Sequence, residues 1–160
     1  MENNSILHQL GLALVTGVGT TLARNLIRHT GSVTAIFEEK SGNLLKIPGI
    51  GKKIADNLRQ SDIMRRAEQE VQFMEKNHIN MVFFEQPEYP SQLRQCPDAP
   101  VVLFYKGILP KRMERSISII GTRNPSQRGR LLTSTWIKEL ARCIPDLFVI
   151  SGLAYGIDIS

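Results

Sequence analysis

The sequence predicts an α/β chain in two parts, an all-α domain of paired hairpins over residues 1–77 and the first part of a parallel α/β domain over residues 78–160. Three observations carry that reading. A stretch of fifteen residues recurs at an offset of 32; residues 62–77 show apolar positions at helical spacing; and two short apolar runs about thirty residues apart each end in a glycine-rich loop.

The repeat sets Leu12–Leu26 against Leu44–Leu58. Leu12/Leu44, Gly17/Gly49, Gly19/Gly51, Ala23/Ala55, Asn25/Asn57 and Leu26/Leu58 are identical, and most remaining pairs match apolar with apolar. An apolar helix end, a Gly-apolar-Gly turn and a helix opening on Ala make each copy a helix-hairpin-helix unit, whose turn amides can meet one DNA phosphate. The copies differ in charge. Gly49 and Gly51 are followed by Lys52 and Lys53, whereas Gly17 and Gly19 are followed by Thr20 and Thr21, which suit an N-cap better than a charge donor. The second hairpin is therefore the better phosphate binder, although nine basic against eight acidic residues over 1–75 also suit a packing or protein-contact module. Val33–Glu39 reads as the connector between the copies, and Ser61 as the cap of the next helix.

Met64, Ala67, Val71 and Met74 recur at three and four residues, so 62–77 is an amphipathic helix joining the two domains, its methionines more suited to a core than to a cofactor. Met81–Phe84 and Val101–Tyr105 read as short strands around the turn-rich, proline-bearing stretch 86–100.

Ser116–Ile120 and Leu147–Ile150 are apolar on both faces, as parallel strands between helix layers require. Their spacing is that of one βαβ crossover, so the loops that follow, Gly121-Thr122-Arg123-Asn124-Pro125-Ser126 and Ser151-Gly152-Leu153-Ala154-Tyr155-Gly156-Ile157-Asp158, leave the same sheet edge. Ligands of open α/β sheets bind at that edge, and glycine lets backbone N–H groups approach an anion. Phosphate-binding candidates are Gly121, Thr122, Arg123, Ser126, Arg128, Gly129, Ser151, Gly152 and Gly156. Within this set Ser126 caps a helix over 127–143 and Arg123 offers a bidentate guanidinium. Asp158 falls in the first turn after the second loop, where the helix dipole alone accounts for it, and is not assigned a catalytic role.

The order Tyr89-Pro90, Asp98-Ala99-Pro100, Leu103-Phe104-Tyr105-Lys106-Gly107, Gly121-Thr122-Arg123 and Ser151–Asp158 resembles the DNA-processing protein A, or DprA/Smf, family from Phe84 to the last residue. The resemblance implies a Rossmann-like domain that binds single-stranded DNA, loading of the RecA recombinase during natural transformation, a homodimer when full length, and an amino-terminal fragment whose family continues into further strands and often a winged-helix domain.

Composition agrees with a polyanion partner. The chain carries 20 Lys+Arg against 15 Asp+Glu, a net charge of +5, with 42% hydrophobic residues. Between residues 106 and 130 seven basic side chains, Lys106, Lys111, Arg112, Arg115, Arg123, Arg128 and Arg130, face only Glu114. Such clustering suits binding driven by counterion release. Cys96 and Cys143 lie outside any metal or disulfide spacing, the histidines are scattered, and no stretch reaches the length of a membrane span. No metal, cofactor or membrane is expected, and a bacterial cytoplasm is the expected compartment.

Two enzymatic readings are weaker. A nucleotide-processing Rossmann-like enzyme would need a nucleophile and base or a G-x-G-x-x-G turn, and neither is present. A helix-hairpin-helix DNA glycosylase could use Lys53, but the stretch Gln69–Gln72 where its aspartate belongs holds only Glu70.

Overall fold

The leucine and alanine positions that the repeat holds in common are the ones the fold buries. In the computed structural model, which describes residues 2–160, Leu12, Val15, Ala23 and Leu26 of the first copy and Leu44, Ile47, Ala55 and Leu58 of the second share one core. The first copy is α1 (Glu2–Leu14), a turn and α2 (Thr20–Thr30); the second is α4 (Ser41–Leu44), a turn and α5 (Lys52–Asn57). The connector is itself helical, α3 (Val33–Glu38), and the Ser32 hydroxyl caps it by accepting from the Ala35 N–H at 3.1 Å.

The two turns are related by approximate twofold exchange. Gly17 and Gly49 take φ of 91° and 88°, the left-handed region that a side chain rarely enters. A Cβ on Gly17 would sit 3.5 Å from Ile54, and one on Gly49 would sit 3.2 Å from Leu22. Ile54 and Leu22 are themselves 32 residues apart, so each copy's helix closes over the other copy's turn. Asn57 adds a hydrogen bond across the pair, its Nδ2 donating to the Thr16 carbonyl at 2.8 Å.

α6 (Ser61–Lys76) packs along α1 and buries Ala67 and Met74 with Leu10. Its cap residue is Gln60 rather than Ser61, which already lies in the first turn, and neither α2 nor α6 has a side-chain cap. Thr20 likewise is helical, with Gly19 in the cap position.

Strands β1 (Asn80–Phe83) and β2 (Val102–Tyr105) pair antiparallel, Asn80 opposite Tyr105 and Phe83 opposite Val102. Between them the short α7 (Ser91–Arg94) follows Tyr89, whose ring is 1% exposed and whose hydroxyl donates to the Pro100 carbonyl at 2.7 Å. Phe83, Val101 and Val102 enter the helical core. The chain accordingly divides into two compact units at Met1–Lys111 and Arg112–Ser160, whereas the sequence reading divided it between residues 77 and 78. The apolar face of the β-hairpin found its partner among the preceding helices.

The second unit is one βαβ element, β3 (Ser116–Ile119), α8 (Gln127–Cys143) and β4 (Phe148–Ser151), closed by a 3-10 turn at Ile157–Ile159. β3 and β4 run parallel, Ser116 beside Phe148 and Ile119 beside Ser151. The strands are not buried on both faces: Val149 is 45% exposed, and α8 has no buried residue.

Candidate nucleic-acid interface

Parallel pairing of β3 and β4 brings their two following loops together, and glycine is what lets them meet. Gly156 has φ of 106°, and a Cβ there would lie 2.2 Å from the Thr122 carbonyl oxygen and 2.6 Å from the Arg123 Cα. A Cβ on Gly121 would lie 2.5 Å from Ile157. The loops are tied by the Ile157 N–H donating to the Thr122 carbonyl at 3.2 Å. Gly121 and Gly156 thus hold one loop against the other.

Asp158 sits inside this junction. Its carboxylate accepts from the Gly121 N–H at 3.2 Å, and a Cβ on Gly152 would touch its other oxygen at 3.2 Å. The expectation that the helix dipole alone accounts for Asp158 is corrected: it is a specific hydrogen-bond acceptor joining the two loops. The Ser151 hydroxyl faces inward as well, donating to the Asp158 carbonyl at 3.0 Å. A carboxylate on the first loop's amide takes one donor that an incoming phosphate would otherwise use.

What remains outward is cationic. Ser126 caps α8 as its sequence position predicts, its hydroxyl accepting from the Gly129 N–H at 3.1 Å. Thr122 Oγ1 accepts from the Asn124 N–H at 3.2 Å and braces the turn. Arg123 and Arg128 are exposed and have no hydrogen-bond or ion-pair partner among the described residues. Arg130 reaches the Ser160 hydroxyl at 3.4 Å. The wider basic cluster is dispersed. Lys111 pairs with Glu88 at 3.5 Å and Arg112 with Glu114 at 3.4 Å. Arg115 donates to the Pro145 carbonyl at 3.1 Å, at the amino end of β3 and away from Gly121. Only Arg123, Arg128 and Arg130 of the seven belong to the loop and the first turn of α8.

In the helical unit the second hairpin presents Gly49 and Gly51 with Lys52 and Lys53 exposed at the start of α5. Gly51 is the cap residue with extended geometry, φ −91° and ψ 170°, matched by Gly19 at −82° and 177°. The two hairpins therefore have the same backbone, and charge is their main difference. α5 is only six residues long, so its lysines, rather than its dipole, are what it can offer an anion.

A family profile described as DNA recombination-mediator protein A matches residues 80–160, more than half of the chain. The chain belongs to that family. A second profile, the SAM-like helix-hairpin-helix tandem, matches residues 10–61 and so covers both copies of the repeat. Protein Smf of Synechocystis sp. is 28% identical over 99% of this chain and 40% of its own length. The DNA processing protein DprA of Bacillus subtilis is 38% identical over 50% of this chain and 27% of its own, and that of Streptococcus pneumoniae 39% identical over 44% and 24%. The chain spans well under half the length of these DprA/Smf relatives. Its fold is the one expected, an all-α helix-hairpin-helix tandem followed by a Rossmann-like α/β part. No helix among the described residues is long and apolar enough to cross a membrane.

Proposed function

We propose that this chain serves a DNA-processing protein of the DprA/Smf family by binding single-stranded DNA through its phosphates, with Arg123 and Arg128 as the principal contacts. The observation that carries the reading is the junction of the two glycine loops at the carboxyl ends of β3 and β4, with both guanidinium groups exposed and uncommitted beside it. Guanidinium groups bind phosphate oxygens in pairs, and phosphate contacts position a strand without reading its sequence. Gly121, Gly152 and Gly156 act indirectly, by holding the loops, and Ser151 and Thr122 by bracing them; Ser126 and Gly129 fix the start of α8. The second hairpin, through Gly49, Gly51, Lys52 and Lys53, adds a weaker backbone contact.

We read the role as binding rather than catalysis, since the sequence offers neither a nucleophile and base pair nor a G-x-G-x-x-G turn at these loops. In the whole protein the same reading extends to protecting incoming single strands and delivering them to RecA, as a homodimer in the bacterial cytoplasm. Arg123→Ala should weaken oligonucleotide binding by about 1–3 kcal/mol, the scale of a lost charged hydrogen bond, and should lower the salt slope. Titration of labelled oligonucleotides at several salt concentrations measures both; unchanged affinity and slope would overturn the assignment.

A further inference from the structure

Three arginines of the helical unit line one open groove of about 710 Å³, and none of them has a carboxylate partner. Arg24 and Arg28 come from α2 and Arg94 from the end of α7, and Phe84 and Glu85 also line the groove, with Ile27 and Gly31. Glu85 makes no ion pair with any of the three among the described residues.

Each guanidinium is already held on one side. Arg24 Nη2 donates to the Ala99 carbonyl at 3.2 Å, and its guanidinium carbon lies 5.2 Å from the centre of the Phe84 ring. Arg94 Nη2 donates to the Gln86 carbonyl at 2.6 Å, and its guanidinium lies 5.8 Å from the centre of the Tyr89 ring. Arg28 Nη1 reaches the Asn25 side-chain oxygen at 3.5 Å. A guanidinium has five N–H donors, so each retains donors for another acceptor. Arg24 Nε is buried and has no acceptor at all. Three like charges converging on one groove, with an orphaned donor among them, lack an anion.

We propose that this groove is a second site for single-stranded nucleic acid, separate from the glycine loops and taking a phosphodiester on the three guanidinium groups. The groove is far larger than one phosphate needs. It also sets guanidinium planes beside one aromatic ring, that of Phe84, and guanidinium planes and aromatic rings are the groups on which phosphates and unpaired bases are held. Taking nucleic acid as the ligand rests on the function proposed above; the site itself does not involve Arg123 or Arg128.

Arg28 is exposed and its one side-chain bond is long, so Arg28→Glu leaves the fold intact. Binding of a labelled oligo(dT) should weaken about fivefold in this variant and the salt slope should fall by about one. Arg24→Lys keeps the charge and loses the planar fork, and should weaken binding with the slope unchanged. An oligonucleotide carrying bromodeoxyuridine should crosslink to the peptide that contains Phe84. If Arg123→Ala loses affinity while Arg28→Glu binds as the parent does, the groove assignment is overturned and the loop reading stands. Loss in Arg28→Glu with none in Arg123→Ala supports the groove and removes the loop reading. Competition by polyglutamate for a groove that oligo(dT) does not enter would overturn the assignment in favour of an acidic protein partner.

Discussion

Within itself, each unit is held by a different kind of contact. Every buried apolar side chain among the described residues lies between Leu10 and Val102, in the helical unit. In the βαβ unit α8 leaves Leu131 and Trp136 68% and 64% exposed. Its two loops are positioned by backbone approach at Gly121 and Gly156 and by the hydrogen bonds of Asp158 and Ile157. Burial of a core is non-directional, while close backbone approach at a glycine constrains which residue and which conformation the junction accepts. The first unit rests on a buried core, and the second on direct contacts between its loops.

The largest effect separates the units by their cores. Phe83, 1% exposed in the helical core, should cost about 3–5 kcal/mol when replaced by alanine. Trp136→Ala, on the open face of α8, should change stability by less than about 0.5 kcal/mol. Denaturant unfolding followed by far-ultraviolet circular dichroism compares them, and an equal loss in both would show that the face of α8 is packed. Residues 1–77 alone lack Phe83, Val101 and Val102. That piece should therefore melt well below 1–111, which sharpens where the folding unit ends.

Glycines give the next effect. At Gly156 a methyl group would meet the Thr122 carbonyl and the Arg123 backbone, neither of which can turn aside. Gly156→Ala should cost about 3 kcal/mol from strain and clash, and should speed hydrogen exchange across Phe148–Ser151. At Gly49 the neighbour is the Leu22 side chain, which can rotate, so the positive φ is the main penalty and Gly49→Ala should cost about 1–2 kcal/mol. If Gly49→Ala proves the more damaging, the loop junction is softer than its distances imply.

The repeat was legible because its leucine, alanine and glycine identities at offset 32 are buried or turn positions whose role is local: Leu12 and Leu44 fill a core, and Gly17 and Gly49 turn a chain. The βαβ element was legible for the same reason, down to Ser126 as the cap of α8. What sequence could not supply was distance between remote segments. Gly121 and Gly156 read as anion donors because glycine in a loop is compatible with both anion approach and close packing; the proximity of Ile157 and Thr122 to them is the part that no local pattern shows. Asp158 pairing with Gly121 and Arg24 reaching Ala99 are contacts across 37 and 75 residues that no local pattern encodes. The partner of the β-hairpin was hidden likewise, since an apolar strand does not announce which surface it will cover.

The smallest effect concerns pH and sets two groups of the helical unit against each other. Hydrogen bonds hold the Glu39 carboxyl below its ordinary value, chiefly the Asn43 amide at 2.8 Å and then the Lys40 N–H at 2.9 Å. A depressed carboxyl stabilises above the unfolded value, and that contribution disappears as pH falls through the folded value. Burial raises the Tyr89 phenol, against the opposing charges of Arg24 and Arg94. A raised phenol stabilises fully below its unfolded value near 10, and that part is lost as pH climbs through the folded value. Glu39→Gln should therefore flatten only the acid limb of a melting-temperature profile and Tyr89→Phe only the alkaline limb. Glu39 is a surface group tied by two hydrogen bonds, so its limb should be the shallower. Thermal melts of both variants from acid to alkaline pH measure this; an acid limb unchanged by Glu39→Gln would mean that its hydrogen bonds to Asn43 and Lys40 do not persist in solution.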